Sequence, residues 1–169
     1  MAQITSDINL PDLNYEFHTI TIDSVGQSAN TFTAYLHQPL KNVVQTKLLA
    51  ARIASNVNDF HCFVSIDELN SNFNDRGVSS LDDQVEASKA QVRGAVASLV
   101  SDATPASSAD RVFVFKDNYP CGAQYITPIR KIDRLSVTLY NESGNTMTPP
   151  DSGEANFLVL RFTCLKQNI

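Results

Sequence analysis

Tryptophan is absent from this 169-residue chain, and glycine is scarce at six residues. With so little glycine there is no material for a phosphate-cradling loop, and no P-loop, dinucleotide fingerprint or G-x-S-x-G elbow occurs. Sugar-binding sandwiches stack sugars on aromatic faces, so the missing tryptophans weaken a lectin reading without removing it. Charge is also low: 18% of residues are Asp, Glu, Lys or Arg, against the usual quarter. Bases are outnumbered, 13 to 18, giving a net charge of −5. Residues 1–100 hold 11 acids and 6 bases, and residues 101–169 hold 7 of each. The one basic knot, Arg130-Lys131-Ile132-Asp133-Arg134, is broken by an aspartate. A chain without a basic face has nothing to spend on phosphates, so no direct nucleic-acid binding is expected. No apolar run approaches the roughly 20 residues that cross a bilayer, so no membrane span is expected. Met1–Asp7 has neither a basic start nor an apolar middle, so an export leader is not expected either.

What the chain has is Asn, Ser and Thr among short β-favouring runs, with an ordinary apolar fraction of 43%. Alternation starts at Phe17, where His18, Ile20 and Ile22 share one face and Phe17, Thr19 and Thr21 the other. Gly26–Asn30 reads as a turn, and Thr31–His37 as a strand that Pro39 should stop. Lys41–Ala54 fits a helix or a strand. Phe60–Ile66 is strongly β, and Asn70–Gly77 is a loop by composition. In residues 80–100 a Ser80 cap, Asp82, Asp83 and the spacing of Leu81, Val85 and Val92 predict a short helix to about Gln91, followed by a strand from Gly94. Three further strands are predicted at Arg111–Phe115, Ile132–Tyr140 and Phe157–Cys164, the last two joined through the Asn141–Asn145 turn. Seven or eight short strands with at most one short helix predict an all-β chain: a single jelly-roll-like antiparallel β-sandwich over residues 15–169. Its expected core includes Ile20, Ile22, Phe32, Leu36, Phe63, Val137, Leu139, Leu158 and Leu160.

Candidate chemistry is thin. His18, His37 and His61 stand 19 and 24 residues apart, without any H-x-H or H-x-x-x-H pair, so no metal site is expected. Cys62, Cys121 and Cys164 form no C-x-x-C and read as buried free thiols. The carboxylate pairs Asp67-Glu68 and Asp82-Asp83 sit side by side, which on a strand sends them to opposite faces and not to a shared glycosidic bond. Asn141-Glu142-Ser143 is a glycosylation sequon that chance explains. No catalytic residue, cofactor or small-molecule substrate is expected.

Residues 1–14 read as an N-terminal arm carrying Ile4, Ile8, Leu10 and Leu13 outside any periodic element, with Pro11 barring a helix. Burying each aliphatic contributes roughly 1.5–3 kcal/mol, while ordering the backbone costs about 1–2 kcal/mol per residue. Side-chain burial alone cannot hold such an arm. It must also gain backbone hydrogen bonds, most simply by adding a strand to a neighbour's sheet edge.

The segment Ile22-Asp23-Ser24, the strand Phe32-Thr33-Ala34-Tyr35-Leu36 and the run Gln38-Pro39-Leu40-Lys41-Asn42-Val43 together resemble the opening of a family of virion proteins. These are the small jelly-roll structural proteins, of minor capsid or penton type, of large double-stranded DNA viruses. Ile132–Val137, the Gly144-Asn145 turn and Phe157–Phe162 are similar to the family's closing strands. The likeness covers roughly residues 15–70 and 110–165. It implies a minor capsid, cement or penton component that assembles with other copies of itself or with a major capsid protein. It further implies a location in the virion, after synthesis in the host cytoplasm or nucleus, and no catalytic residue. The alternative is a non-enzymatic lectin-like or receptor-binding β-sandwich module.

Overall fold

A computed structural model describes residues 14–56, 59–69, 92, 94–100, 111–116 and 122–166. The expected arm, bar Asn14, lies outside the described residues, as do the expected helix of residues 80–91, the 70–77 loop and Cys121. Seven strands occur: β1 (Tyr15–Asp23), β2 (Thr31–Ser55), β3 (His61–Ile66), β4 (Ala97–Val100), β5 (Arg111–Lys116), β6 (Gly122–Tyr140) and β7 (Phe157–Leu165). A single 3-10 turn, Asp67–Leu69, is the only helical element among the described residues. All pairings are antiparallel, in the order β1-β7-β2-β6-β3-β4, with β5 also on β2. The curled sheet is all-β and sandwich-like, as the strand count predicts.

The ambiguous stretch 41–54 is strand. It belongs to β2, whose 25 residues run through the Pro39 expected to end it. Pro39 falls where the register with β6 slips between Tyr35 and Leu40, so its missing N–H removes no ladder bond. A second irregularity between Val43 and Gln45 displaces both partners of β2 at once. Between them Asn42 takes φ 52°, a left-handed conformation that asparagine tolerates better than most residues. These irregularities divide β2 into two working halves. The first half, through Lys41, pairs on one side only, with β6. The second half has β7 on one side and β6, then β5, on the other.

One apolar cluster joins both halves, with Phe32, Leu48 and Ile53 from β2, Leu135, Val137 and Leu139 from β6, and Leu158, Leu160 and Phe162 from β7. Of the nine expected core residues, Ile22, Phe32, Val137, Leu139, Leu158 and Leu160 are buried in it, and Ile20 and Leu36 pack half-buried against it. Phe63 is buried in a small satellite with Val92 and Ala95. The strand from Gly94 is narrower than expected, only Ala97–Val100.

Two polar knots pin the loops at one end. Asn156 Oδ1 accepts from the Ala54 amide at 2.7 Å, and its Nδ2 donates to the Ala29 carbonyl at 2.8 Å and to Asn30 Oδ1 at 3.1 Å. Its backbone amide donates to Ser24 Oγ, and Asn30 Nδ2 donates to the Met147 carbonyl. The second knot centres on buried Asp59, whose carboxylate accepts from Ser55 Oγ, Asn141 Nδ2 and the Thr148 amide. Each satisfied group would otherwise be a costly buried orphan.

Candidate functional site

β1 and the first half of β2 are consecutive in sequence, joined by residues 24–30, yet they do not pair with each other. β1 bonds to β7 and the first half of β2 to β6, so the two strands splay and each keeps one edge that no described strand occupies. The gap between them is a groove of about 1140 Å³ lined by residues 16–23, Val25, Gln27 and residues 33–41.

The direction of the backbone groups follows from the ladders. The Ser24 amide donates to the Asn156 carbonyl at one end of β1, and the Lys166 amide donates to the Asn14 carbonyl at the other. In an antiparallel pair, residues that exchange bonds alternate with residues that do not. Even-numbered residues of β1 therefore bond to β7, and the N–H and C=O groups of Phe17, Thr19 and Thr21 point into the groove. On β2, the Leu139 amide donates to the Asn30 carbonyl, so Thr31, Thr33 and Tyr35 turn their backbone groups the other way, away from β6. Thr33 shows what that edge recruits. The Gln27 side chain donates Nε2 to its carbonyl at 2.9 Å and accepts its amide at Oε1 at 3.0 Å. A side-chain amide thus stands in for one residue of a neighbouring strand.

At the far end of β1 the register places Glu16 opposite Cys164. Glu16, His18 and Cys164 bring one potential ligand atom each within 4.8 Å of one another. His18 Nε2 lies 3.2 Å from Glu16 Oε1, but out of line for a hydrogen bond, and has no other partner. An imidazole, a carboxylate and a thiol are chemically a fair donor set for zinc, which would need water or another group in the fourth place. Burial first and the Glu16 charge second push the Cys164 thiol up to about 11, so the sulfur holds its proton at neutral pH and a zinc ion would have to displace it.

The other sequence candidates are dispersed. His37 is exposed on β2, while His61 stacks on Phe63 at 4.3 Å and lies 2.6 Å from Ser98 Oγ. The three histidines are not gathered. Glu68 is a staple: its carboxylate accepts from the Ser136 amide at 2.7 Å and Ser136 Oγ at 2.8 Å, tying the 3-10 turn to β6. Asp67 beside it is exposed, and Asp82 and Asp83 lie outside the described residues. Asn141 of the sequon is committed to the fold, since its Oδ1 accepts the Ser143 and Asn145 amides and its Nδ2 donates to Asp59. Burial and, second, the Asp59 charge push the Cys62 thiol far above its usual range. The arm residues Ile4, Ile8, Leu10 and Leu13 lie outside the described residues.

The groove has no signal in the sequence, where two alternating runs separated by the Gly26–Asn30 turn show only that two strands follow one another. Nothing in local alternation reveals that both strands bond elsewhere. No protein-family model matches the chain, and no curated protein matches it significantly.

Proposed function

We propose that the chain is a non-catalytic structural subunit: a virion component of minor capsid, cement or penton type that assembles with copies of itself or with a major capsid protein. The observation that carries this reading is the pair of strand edges, facing one groove, that no described strand occupies. Strand edges present rows of unmet donors and acceptors and are templates for another chain unless covered. Large apolar side chains stand at the groove: Phe17, Val25 and Tyr35 are exposed, Tyr35 at 78% of its maximum. A surface poor in long charged side chains loses less rotamer entropy when buried in a lattice. The family resemblance of β1, β2, β6 and β7 supports the viral setting.

Two measurements test the reading. Light scattering on the purified chain across a concentration series is expected to show a multimer. Mass spectrometry of gradient-purified particles from the source is expected to find the chain at stoichiometric abundance. A chain that remains monomeric and is missing from particles, yet binds a glycan or receptor, would establish the binding-module alternative instead.

A further inference from the structure

We infer that the groove between β1 and the first half of β2 is the receiving site for the N-terminal segment of a second copy of this chain, which enters as an extra strand. This rests on the self-assembly reading above and specifies its contact.

The groove's chemistry asks for an extended peptide. One wall offers the N–H and C=O groups of Phe17, Thr19 and Thr21 and the other those of Tyr35, all set by the bonding phase of the ladders. An inserted strand pairs antiparallel to one wall and parallel to the other, because β1 and β2 run in opposite senses. Its side chains alternate between the core side, where half-buried Ile20 and Leu36 lie at the margin of the cluster, and the solvent side.

Residues 3–10 match that demand. Held extended, Ile4, Ser6, Ile8 and Leu10 share one face and Gln3, Thr5, Asp7 and Asn9 the other. Ser6 interrupts the apolar row, which hides the alternation from a search for periodic elements. Eight extended residues span about 27 Å, close to the roughly 30 Å of the nine-residue β1. The residue before a proline is itself held extended, which suits Leu10.

The chain's own groove is harder for this segment to reach than a neighbour's. Asn14 is already fixed, its carbonyl accepting from Lys166, so residues 3–10 could double back along β1 only through a reversal at residues 11–13. Tight two-residue hairpin turns need φ > 0 at their first central position, or at both. Proline is locked near −65°, so Pro11 bars Leu10-Pro11 as a type I′ turn and Pro11-Asp12 as either type. An Asp12-Leu13 turn of type I′ would place leucine at positive φ, which is strained. With the tight turns barred, residues 11–13 would connect the strand to an adjacent copy. Reciprocal exchange closes a two-fold dimer, and one-way exchange builds a chain of subunits.

The test uses two full-length variants. Thr19→Pro removes an N–H that faces the groove while leaving the β7 ladder intact, as proline is tolerated on an open edge. Thr21→Pro, in the same phase, is the second groove variant should Thr19→Pro fail to fold by far-UV circular dichroism. Ile8→Asp spoils the apolar face of the inserted strand. Each variant alone is expected to remain monomeric at concentrations at least tenfold above those at which the parent chain multimerises. Mixed together, a chain with a sound groove and a chain with a sound N-terminal segment are expected to form a 1:1 heterodimer. In the parent chain, the Phe17, Thr19 and Thr21 amides should become slower to exchange as concentration rises. If the parent multimerises and neither variant changes this, the groove inference falls while the assembly reading stands. If the parent is monomeric and those amides are protected at every dilution, the segment occupies its own groove and the inference is overturned. A monomer with unprotected amides at every concentration removes both.

Discussion

Replacing Asn156 with alanine should destabilise the protein by about 3–5 kcal/mol, more than most core truncations of equal size. The side chain is fully buried and makes three hydrogen bonds to two parts of the chain: the end of β2 through the Ala54 amide, and the β1–β2 turn through Ala29 and Asn30. Truncation orphans the buried Ala54 N–H and Asn30 Oδ1, each worth about 1–3 kcal/mol when left unsatisfied. The half-buried Ala29 carbonyl can turn to water and adds less. Against a typical total stability of about 5–15 kcal/mol this is a large fraction. For a chain of this size it corresponds to a fall in Tm of roughly 10 °C or more. Urea unfolding followed by far-UV circular dichroism measures it, and the m-value should be unchanged because the native fold persists. Asn156→Asp supplies an internal check. It keeps an acceptor for Ala54 but sets a second oxygen against the Ala29 carbonyl and Asn30 Oδ1, so it should be at least as damaging at pH 7. The defect should shrink in acid, where a proton restores one donor. A loss below about 1 kcal/mol for Asn156→Ala would refute the argument that this residue holds the loop end together.

Leu139→Ala removes a fully buried side chain of the main cluster and should cost about 2–5 kcal/mol by denaturant titration; a cost under roughly 0.5 kcal/mol would place the residue on the wrong face. Gly122→Ala would set a Cβ 2.6 Å from the Thr46 carbonyl oxygen, so it should destabilise by about 1–3 kcal/mol and speed amide exchange at the β2–β6 junction. A neutral effect there would mean that the two strands are less closely apposed. Cys62 and Cys164 should resist iodoacetamide in the native chain at pH 8 and react only on unfolding, as peptide mapping can show. Cys164 is raised from 9.0 to about 11 on folding, so its neutral thiol contributes stability that is complete below pH 9 and is lost as pH climbs from 9 to 11. Cys164→Ala should flatten that alkaline decline; an unchanged slope would show that the thiol does not titrate there.

The strands legible in the sequence were those whose residue types are themselves β-favouring. β1, β3, β5, β7 and the latter part of β6 alternate or carry dense β-branched and aromatic residues, and each expected range lies within a few residues of the observed one. The second half of β2 was ambiguous because burial there ignores alternation: Ile53, Ala54 and Ser55 are all buried, with β5 along one edge and the Ala54 amide held by the Asn156 side chain. The opening of β6 was hidden by polar residues and Pro128, which falls where the register jumps between Ile129 and Gln124. Both strand prolines thus occupy irregular stretches, and composition alone reads such positions as breaks. Asn156 and Asp59 gave no signal because single loop residues have no period. The groove gave none because its defining property, which strand bonds to which, is decided by residues 90 to 150 positions away.

That distance also governs when the protein can fold. Among the described residues β1 pairs only with β7, Asp23 with Phe157 and Tyr15 with Leu165, so the first of these strands to be made waits for the last. At roughly 5–20 residues per second of translation, about 7–30 seconds separate their emergence from the ribosome. Until β7 emerges β1 is without its ladder and β2 without one of its partners, and until β6 emerges the first half of β2 is unpaired as well. The nascent chain therefore holds two long, apolar-faced strands without partners, and neighbouring ribosomes on one message would present several such chains side by side. Productive yield in cells should depend on chaperone supply and synthesis rate more steeply than on the stability of the finished molecule.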